Sequence, residues 1–327
     1  METLIKNLDI FKAKIGGMQK DMYPKTWLPY VQAAEKRYIL EEISEEFYDE
    51  LVALTTPNPA QIKLIDKLQE AVAYYAYMSS LISMSVSMGD AGIMQNTPAN
   101  TQTMTKWQYV TLAKDARDKA DSAMERALKW LHKNRSSFST WTSSSEYKFS
   151  QALLISSPAE LTNCLPFAND SYIFYKRLVK YIENSEKWFI APAISKGFLK
   201  AIKIKAATAN PTWSETEEEM LDLLRHAIAH HAFANSIPYL NINIDFRIVA
   251  ETDGVVNEND LDIERKSSLK VMNEKLAETF VNKLLKHLNQ YASANVYAEF
   301  FASGLYKPEM KPLDKLPETG AGLLVWL

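Results

Sequence analysis

The densest group of chemically capable side chains is Arg225-His226-Ala227-Ile228-Ala229-His230-His231. His226 and His230 stand at i and i+4, so on a helix they share one face and could supply two imidazoles to a zinc or di-iron centre. Such a centre needs a third imidazole or carboxylates converging on the same point. The nearest acids, Glu217 to Glu219 and Asp222, stand at the start of the same helix, where they complement its positive end and face water. Other acid runs, such as Glu41-Glu42 with Glu45-Glu46, read as solvated helix faces. No glycine-rich phosphate loop, nucleophile elbow or paired-cysteine cluster occurs. The expectation is therefore no catalytic residue, no cofactor and no metal.

Two further motifs invite a function. Arg225 and His230 match the Arg-x-x-x-x-His spacing of a family of helical ribonucleases, so a metal-dependent or HEPN-like ribonuclease using Arg225, His226 and His230 is the enzymatic alternative; a cytoplasmic helical scaffold is the plainer one. Leu316-Pro-Glu-Thr-Gly320 spells a sortase sorting signal, but only Ala321 to Leu327 follow, with neither a spanning apolar segment nor a basic tail. The match reads as coincidence.

The elements that must position these residues are written twice. Glu70 to Met88 (EAVAYYAYMSSLISMSVSM) reappears as His226 to Ile244 (HAIAHHAFANSIPYLNINI) at an offset of 156 residues. Ala34 to Leu51 matches Ser185 to Ile202 at an offset of 151, Ala127 to Leu131 pairs with Leu284 to Leu288 at 157, and Asn7 pairs loosely with Ser157. One supersecondary unit used twice is the physical reading. The duplicate bears on the histidines, because Glu70, Tyr74 and Tyr75 stand where His226, His230 and His231 do. Partly buried, amphipathic side chains at matched positions point to packing and hydrogen bonding.

A length of 327 residues suits two ordinary domains. The expected division is a first helical repeat over 1–135, a serine-rich linker over 136–149, a second repeat over 150–304 and a proline-punctuated tail over 305–327. A net charge of −3 makes no case for a nucleic-acid-binding surface by bulk charge, and the single cysteine, Cys164, excludes an intramolecular disulfide. The amino terminus lacks the apolar run of a signal peptide. Ala71 to Gly89 contains no charged residue, but its serines and tyrosines, and the histidines and Pro238 of its second copy, favour a buried helix followed by a strand over a membrane span.

Within each copy the expected order is a short helix after Asn7, amphipathic helices around Trp27 to Leu40 and Glu45 to Leu54, and a long helix after Pro57-Asn58-Pro59. Near residue 82 the period becomes alternating. Ile82, Met84, Val86 and Met88, and later Ile242, Ile244, Phe246 and Ile248, interleave with polar residues, and Gly89 to Gly92 and Asp253-Gly254 supply turn chemistry. The fold class expected is mainly α: two duplicated helical-bundle lobes, each with a β-hairpin or extended arm. Tyr109, Ala113, Ala116, Ala120, Ala123, Ala127 and Trp130 form an alanine seam for close intramolecular helix packing, with a bulkier seam of Leu269, Leu276, Phe280 and Leu284 in the second copy. The apolar end Leu323, Leu324, Val325, Trp326 and Leu327 must dock on its own chain or on a neighbour.

The series Ala33 to Ile43, Phe47 to Leu51, Ala71 to Tyr77, Asp90 to Ile93 and Trp107-Gln108 resembles a protein family found in phages and prophages of Bacteroides-type bacteria. The first half, with helices and a hairpin, also resembles the head-tail connector or adaptor proteins of tailed phages. That resemblance implies a virion structural protein, not an enzyme, forming a ring between portal and tail that continues the DNA channel. It implies twelve copies by matching the portal, or six if the two lobes fill pseudo-equivalent positions. The partners implied are further copies of the chain, the portal and tail or other ring proteins, with DNA as non-specific cargo and no membrane. Met84, Val86, Met88, Ile242, Ile244 and Phe246 in the arms, with Leu323 to Leu327, are the expected partner-binding residues.

Overall fold

A computed structural model describes residues 2–16, 24–84, 86–89, 92–95, 105–208, 211–241 and 261–308. The chain is mainly helical. It divides into two compact units, one of Met1–Val179 with Ser236–Ser267 and the other of Lys180–Asn235 with Ser268–Leu327.

In the first unit, α1 (Leu8–Ile15) is capped by Asn7, whose carboxamide oxygen accepts the Ile10 N–H. The amphipathic helix expected around Trp27 to Leu40 is α2 (Pro24–Ala34), which runs through a π-turn (Glu35–Ile39) into the short α3 (Leu40–Ile43). Then follow α4 (Glu45–Ala53) and the long α5 (Pro59–Met84). Asn58 starts α5 with a reciprocal cap: its side chain accepts the Ala60 and Gln61 N–H groups, and the Gln61 side chain accepts the Asn58 N–H. α5 persists to Met84, so alternation begins later than the sequence pattern places it. The strands are β1 (Val86–Gly89) and β2 (Gly92–Gln95), paired antiparallel with Val86 opposite Gln95 and Gly89 opposite Gly92.

A capping box at Thr105 and Gln108 opens α6 (Lys106–Lys133). Its alanine seam packs within the chain, as expected: Ala113, Ala116, Ala120, Ala123 and Ala127 are all buried. Their small side chains let α6 lie close along α5, where Leu64, Leu68, Ala71, Val72, Tyr75 and Ala76 complete the core with Phe11, Trp27, Phe47 and Tyr48.

Two boundaries differ from the sequence reading. The serine-rich stretch 136–149 holds α7 (Ser139–Ser143) and most of α8 (Ser145–Gln151), and Phe138 and Trp141 are buried in the first core. The serines there cap helices, as Ser144 does by accepting the Tyr147 N–H, while two aromatics anchor the segment; counting serines could not reveal that. Residues 150–179 also belong to the first unit, with α9 (Pro158–Cys164) and the start of α10 (Tyr172–Asn184). The Glu125 carboxylate on α6 accepts the Tyr172 and Ile173 N–H groups at 2.9 and 3.1 Å, fastening the first turn of α10 to α6.

In the second unit a π-turn (Ser185–Ile190) leads into α11 (Ala191–Ile194) and α12 (Lys196–Ala206). α13 (Glu215–Ser236) and α14 (Ile263–Tyr291, its first residues in the other unit) follow, then α15 (Ala298–Phe301). Ser214 and Glu217 repeat the reciprocal cap of Asn58 and Gln61 at the same offset of 156 that the sequence shows. Phe198 packs on Tyr297 and Phe300, and Leu224, Ile228, Phe233, Leu284 and Leu288 are buried. No helix among the described residues is long and apolar enough to cross a membrane.

Candidate functional site

Of the three histidines of α13, His226 and His230 share one aromatic neighbour, with ring centroids 6.5 Å apart, and His231 faces another. His226 Nδ1 lies 2.9 Å from the Asp222 carbonyl, and its ring packs on Phe280. His230 Nδ1 lies 2.8 Å from Asn273 Oδ1 and its ring stacks on the same phenylalanine with only 6° between planes. His231 stacks on Phe189 with centroids 3.9 Å apart and hydrogen-bonds Ser185 Oγ at 2.9 Å. Burial holds His230 and His231 below the usual imidazole range. Among the described residues no group of three or more His, Cys, Asp or Glu could hold a metal ion. Phe280, from the bulkier seam of α14, supplies the apolar surface on which two of the rings rest.

The duplication shows what the third histidine does. In the first unit Tyr38 and Tyr75 stack with centroids 4.0 Å apart and 9° between planes, and they occupy the positions that Phe189 and His231 occupy in the second. His231 thus serves as the flat partner in a stack that both units repeat between π-turn and long helix.

Each π-turn also buries a carboxylate that sequence reasoning missed. Glu35 is fully buried, accepts the Leu4 N–H at 2.9 Å through Oε1, and contacts the Tyr48 hydroxyl at 2.6 Å through Oε2. Burial pushes its carboxyl up to about 7, against the lowering effect of these hydrogen bonds. Its counterpart at offset 151, Glu186, is 2% exposed and bonds the Lys203 ammonium at 2.5 Å. The replacements explain the different partners: Leu199 stands where Tyr48 does, and Val52 where Lys203 does. The available signal was an acid at matched positions of both copies, Glu35-Lys36 and Glu186-Lys187, inside otherwise apolar helix spacing.

Beside the first π-turn lies a cavity of about 120 Å³ lined in part by Arg37, Tyr38, Glu41, Tyr75, Arg117 and Asp121. The Tyr75 hydroxyl donates to Asp121 Oδ1 at 2.5 Å, and Arg117 Nε stands 3.6 Å from Asp121 Oδ2. Burial, then the Asp121 charge, drives the Tyr75 hydroxyl far up, so it stays protonated and serves as a donor. The cleft sets the Arg117 guanidinium and the Tyr75 hydroxyl on the same Asp121 carboxylate. Its chemistry is ion pairing and orientation of packed helices.

The expected partner-binding residues divide by position. Met84 closes α5, and Val86 and Met88 lie in β1. Ile242, Ile244 and Phe246, the expected second arm, and Leu323, Leu324, Val325, Trp326 and Leu327 lie outside the described residues.

No curated protein and no solved structure matches the chain. A family model does, described as "Family of unknown function (DUF6712)", over residues 36–151 and again over residues 190–310. The two matched stretches begin and end at spacings close to the repeat offsets, span more than half of the chain, and place this protein in that family.

Proposed function

We propose that this chain is a virion structural protein, a head-tail connector or adaptor that forms a ring joining portal to tail and continues the DNA channel. The observation that carries the reading is the two-stranded ribbon at the end of α5. β1 and β2 pair with each other and with no other strand among the described residues. A two-stranded ribbon is marginal alone, and its outer edges are ready templates for another chain. In this reading Met84, Val86 and Met88 form the first arm, Ile242, Ile244 and Phe246 the second, and Leu323 to Leu327 a docking tail. Neighbouring copies, the portal and tail or other ring proteins are the partners. Twelve copies match the portal, or six if each chain fills two pseudo-equivalent positions. The protein would act in the virion, after assembly in the host cytoplasm, with DNA passing as non-specific cargo.

The stacked and hydrogen-bonded histidines support a structural role over the ribonuclease alternative. Electron microscopy and light scattering of the purified protein, alone and with its portal, test the reading. Rings are expected, and deletion of Leu323 to Leu327 should weaken their assembly. A chain monomeric with and without the portal, and indifferent to that deletion, overturns it.

A further inference from the structure

Where α6 ends, the first unit carries a recess of about 330 Å³ whose chemistry the connector reading does not use. Lys129 and Lys133, one turn apart on α6, and Arg135 just beyond it provide three cations. Gln151, whose amide nitrogen gives one hydrogen to the Ser156 carbonyl at 3.2 Å, and Ser157, whose hydroxyl accepts the Glu160 N–H, add donors; the Ser156 hydroxyl instead donates to Glu160 at 3.0 Å, and no acidic residue lines the recess. None of the three cations makes an ion pair with a described residue. Two carboxylates touching lining residues are already engaged by backbone N–H groups: Glu125 by Tyr172 at 2.9 Å and Glu160 by Ser156 at 2.7 Å.

Lys129, Lys133 and Arg135 are exposed, and a counter-anion between Lys129 and Lys133 would relieve the weak repulsion of like charges at i and i+4. One cation would complement the carboxyl end of the helix; three around a concavity exceed that need. The group is also no product of the duplication. Continuing the α6 to α14 offset of 157, Lys129 has a counterpart in Lys286, but Gln290 and Ala292 stand where Lys133 and Arg135 do. The His132 ring, against Trp141 and Tyr172 at 4.5 and 4.2 Å, walls one side and fixes the end of α6.

We propose that this recess binds a phosphate-type oxyanion, held by Lys129, Lys133 and Arg135, with hydrogen bonds from Gln151 and the Ser157 hydroxyl. The ligand is either free phosphate or a phosphodiester of nucleic acid, either of which these cations would pair with through charge-assisted hydrogen bonds.

Calorimetric titration with inorganic phosphate, and fluorescence anisotropy with a short labelled DNA duplex, use the full chain at fixed ionic strength. In at least one arm the wild type should bind, Lys133→Gln/Arg135→Gln should bind at least tenfold more weakly, and Lys286→Gln, a charge control in the second repeat, should bind as the wild type does. If DNA is the source, the double variant should also lower the salt-dependence slope by about 2. Binding of phosphate without DNA assigns a small-anion site, and DNA alone a backbone contact. Failure of the wild type in both arms, equal binding by the double variant, or equal loss with Lys286→Gln overturns the proposal. Circular dichroism of each variant separates lost binding from lost fold.

Discussion

Glu35 and His132 are buried titratable groups with opposite consequences for pH. Glu35 has a folded-state value raised from 4.5 to about 7, so its contribution to stability is complete below 4.5 and is lost as pH rises through about 7. Full ionisation costs about 3 kcal/mol. His132 is pushed down to about 4 by burial and then by Arg135, so its contribution is present above 6.5 and is lost as pH falls through about 4. Between pH 4.5 and 6.5 the two slopes oppose. Glu35→Gln, an isostere of the neutral acid, should therefore expose the His132 slope: urea unfolding should show the variant gaining on the wild type at pH 7.5 and losing that advantage by pH 5. Glu186 behaves differently because Lys203 neutralises it. Lys203→Ala removes the ammonium from the buried Glu186 carboxylate and should destabilise by about 3 kcal/mol, read from denaturant midpoints of the variant and the wild type at pH 7.

At the scale of elements, the repeated device is a π-turn followed by a sharp corner. Ser44 and Ser195, offset by 151, close the two corners with φ of 68° and 74°, a conformation costly for any residue with a Cβ. They are not equivalent energetically. Ser195 accepts the Phe198 N–H at 3.2 Å and caps α12, whereas the buried Ser44 hydroxyl has no hydrogen-bond partner. Ser44→Gly should raise stability by about 1 kcal/mol, while Ser195→Gly, which relieves strain but removes a cap, should change it by less. Thermal unfolding of the two variants distinguishes these outcomes. The duplicated caps of α5 and α13 offer a matched pair: Asn58→Ala and Ser214→Ala should each cost about 1 kcal/mol, read from chemical denaturation midpoints.

At the scale of the whole molecule, the repeat boundaries and the unit boundaries do not coincide. Residues 150–179 begin the second copy in sequence yet pack with the first unit, because the Glu125 carboxylate holds the first turn of α10 and the Tyr172 ring packs on His132 with centroids 4.2 Å apart. A truncation at residue 149 should therefore yield a first half less stable than one ending at residue 179, measured by thermal melts of both fragments.

Helix order, the alanine seam and the start of α5 were legible from the sequence, because 3.6-residue periodicity, caps and proline act over a few residues. The duplication was legible too, since it preserves apolar spacing, and it rightly identified Tyr75 as the positional counterpart of His231. The folding of the 136–149 stretch into the core was not legible, because its serines outnumber the two aromatics that decide its place. Nor were the burial of Glu35 and Glu186 or the convergence of Lys129, Lys133 and Arg135 with Gln151 and Ser156. Their environments are set by segments distant in the chain, as for Leu4, 31 residues from Glu35, and a helical position shows which face a side chain occupies without showing what covers it. Local periodicity determined the elements; tertiary packing alone decided which charges lost water and which remained beside an open recess.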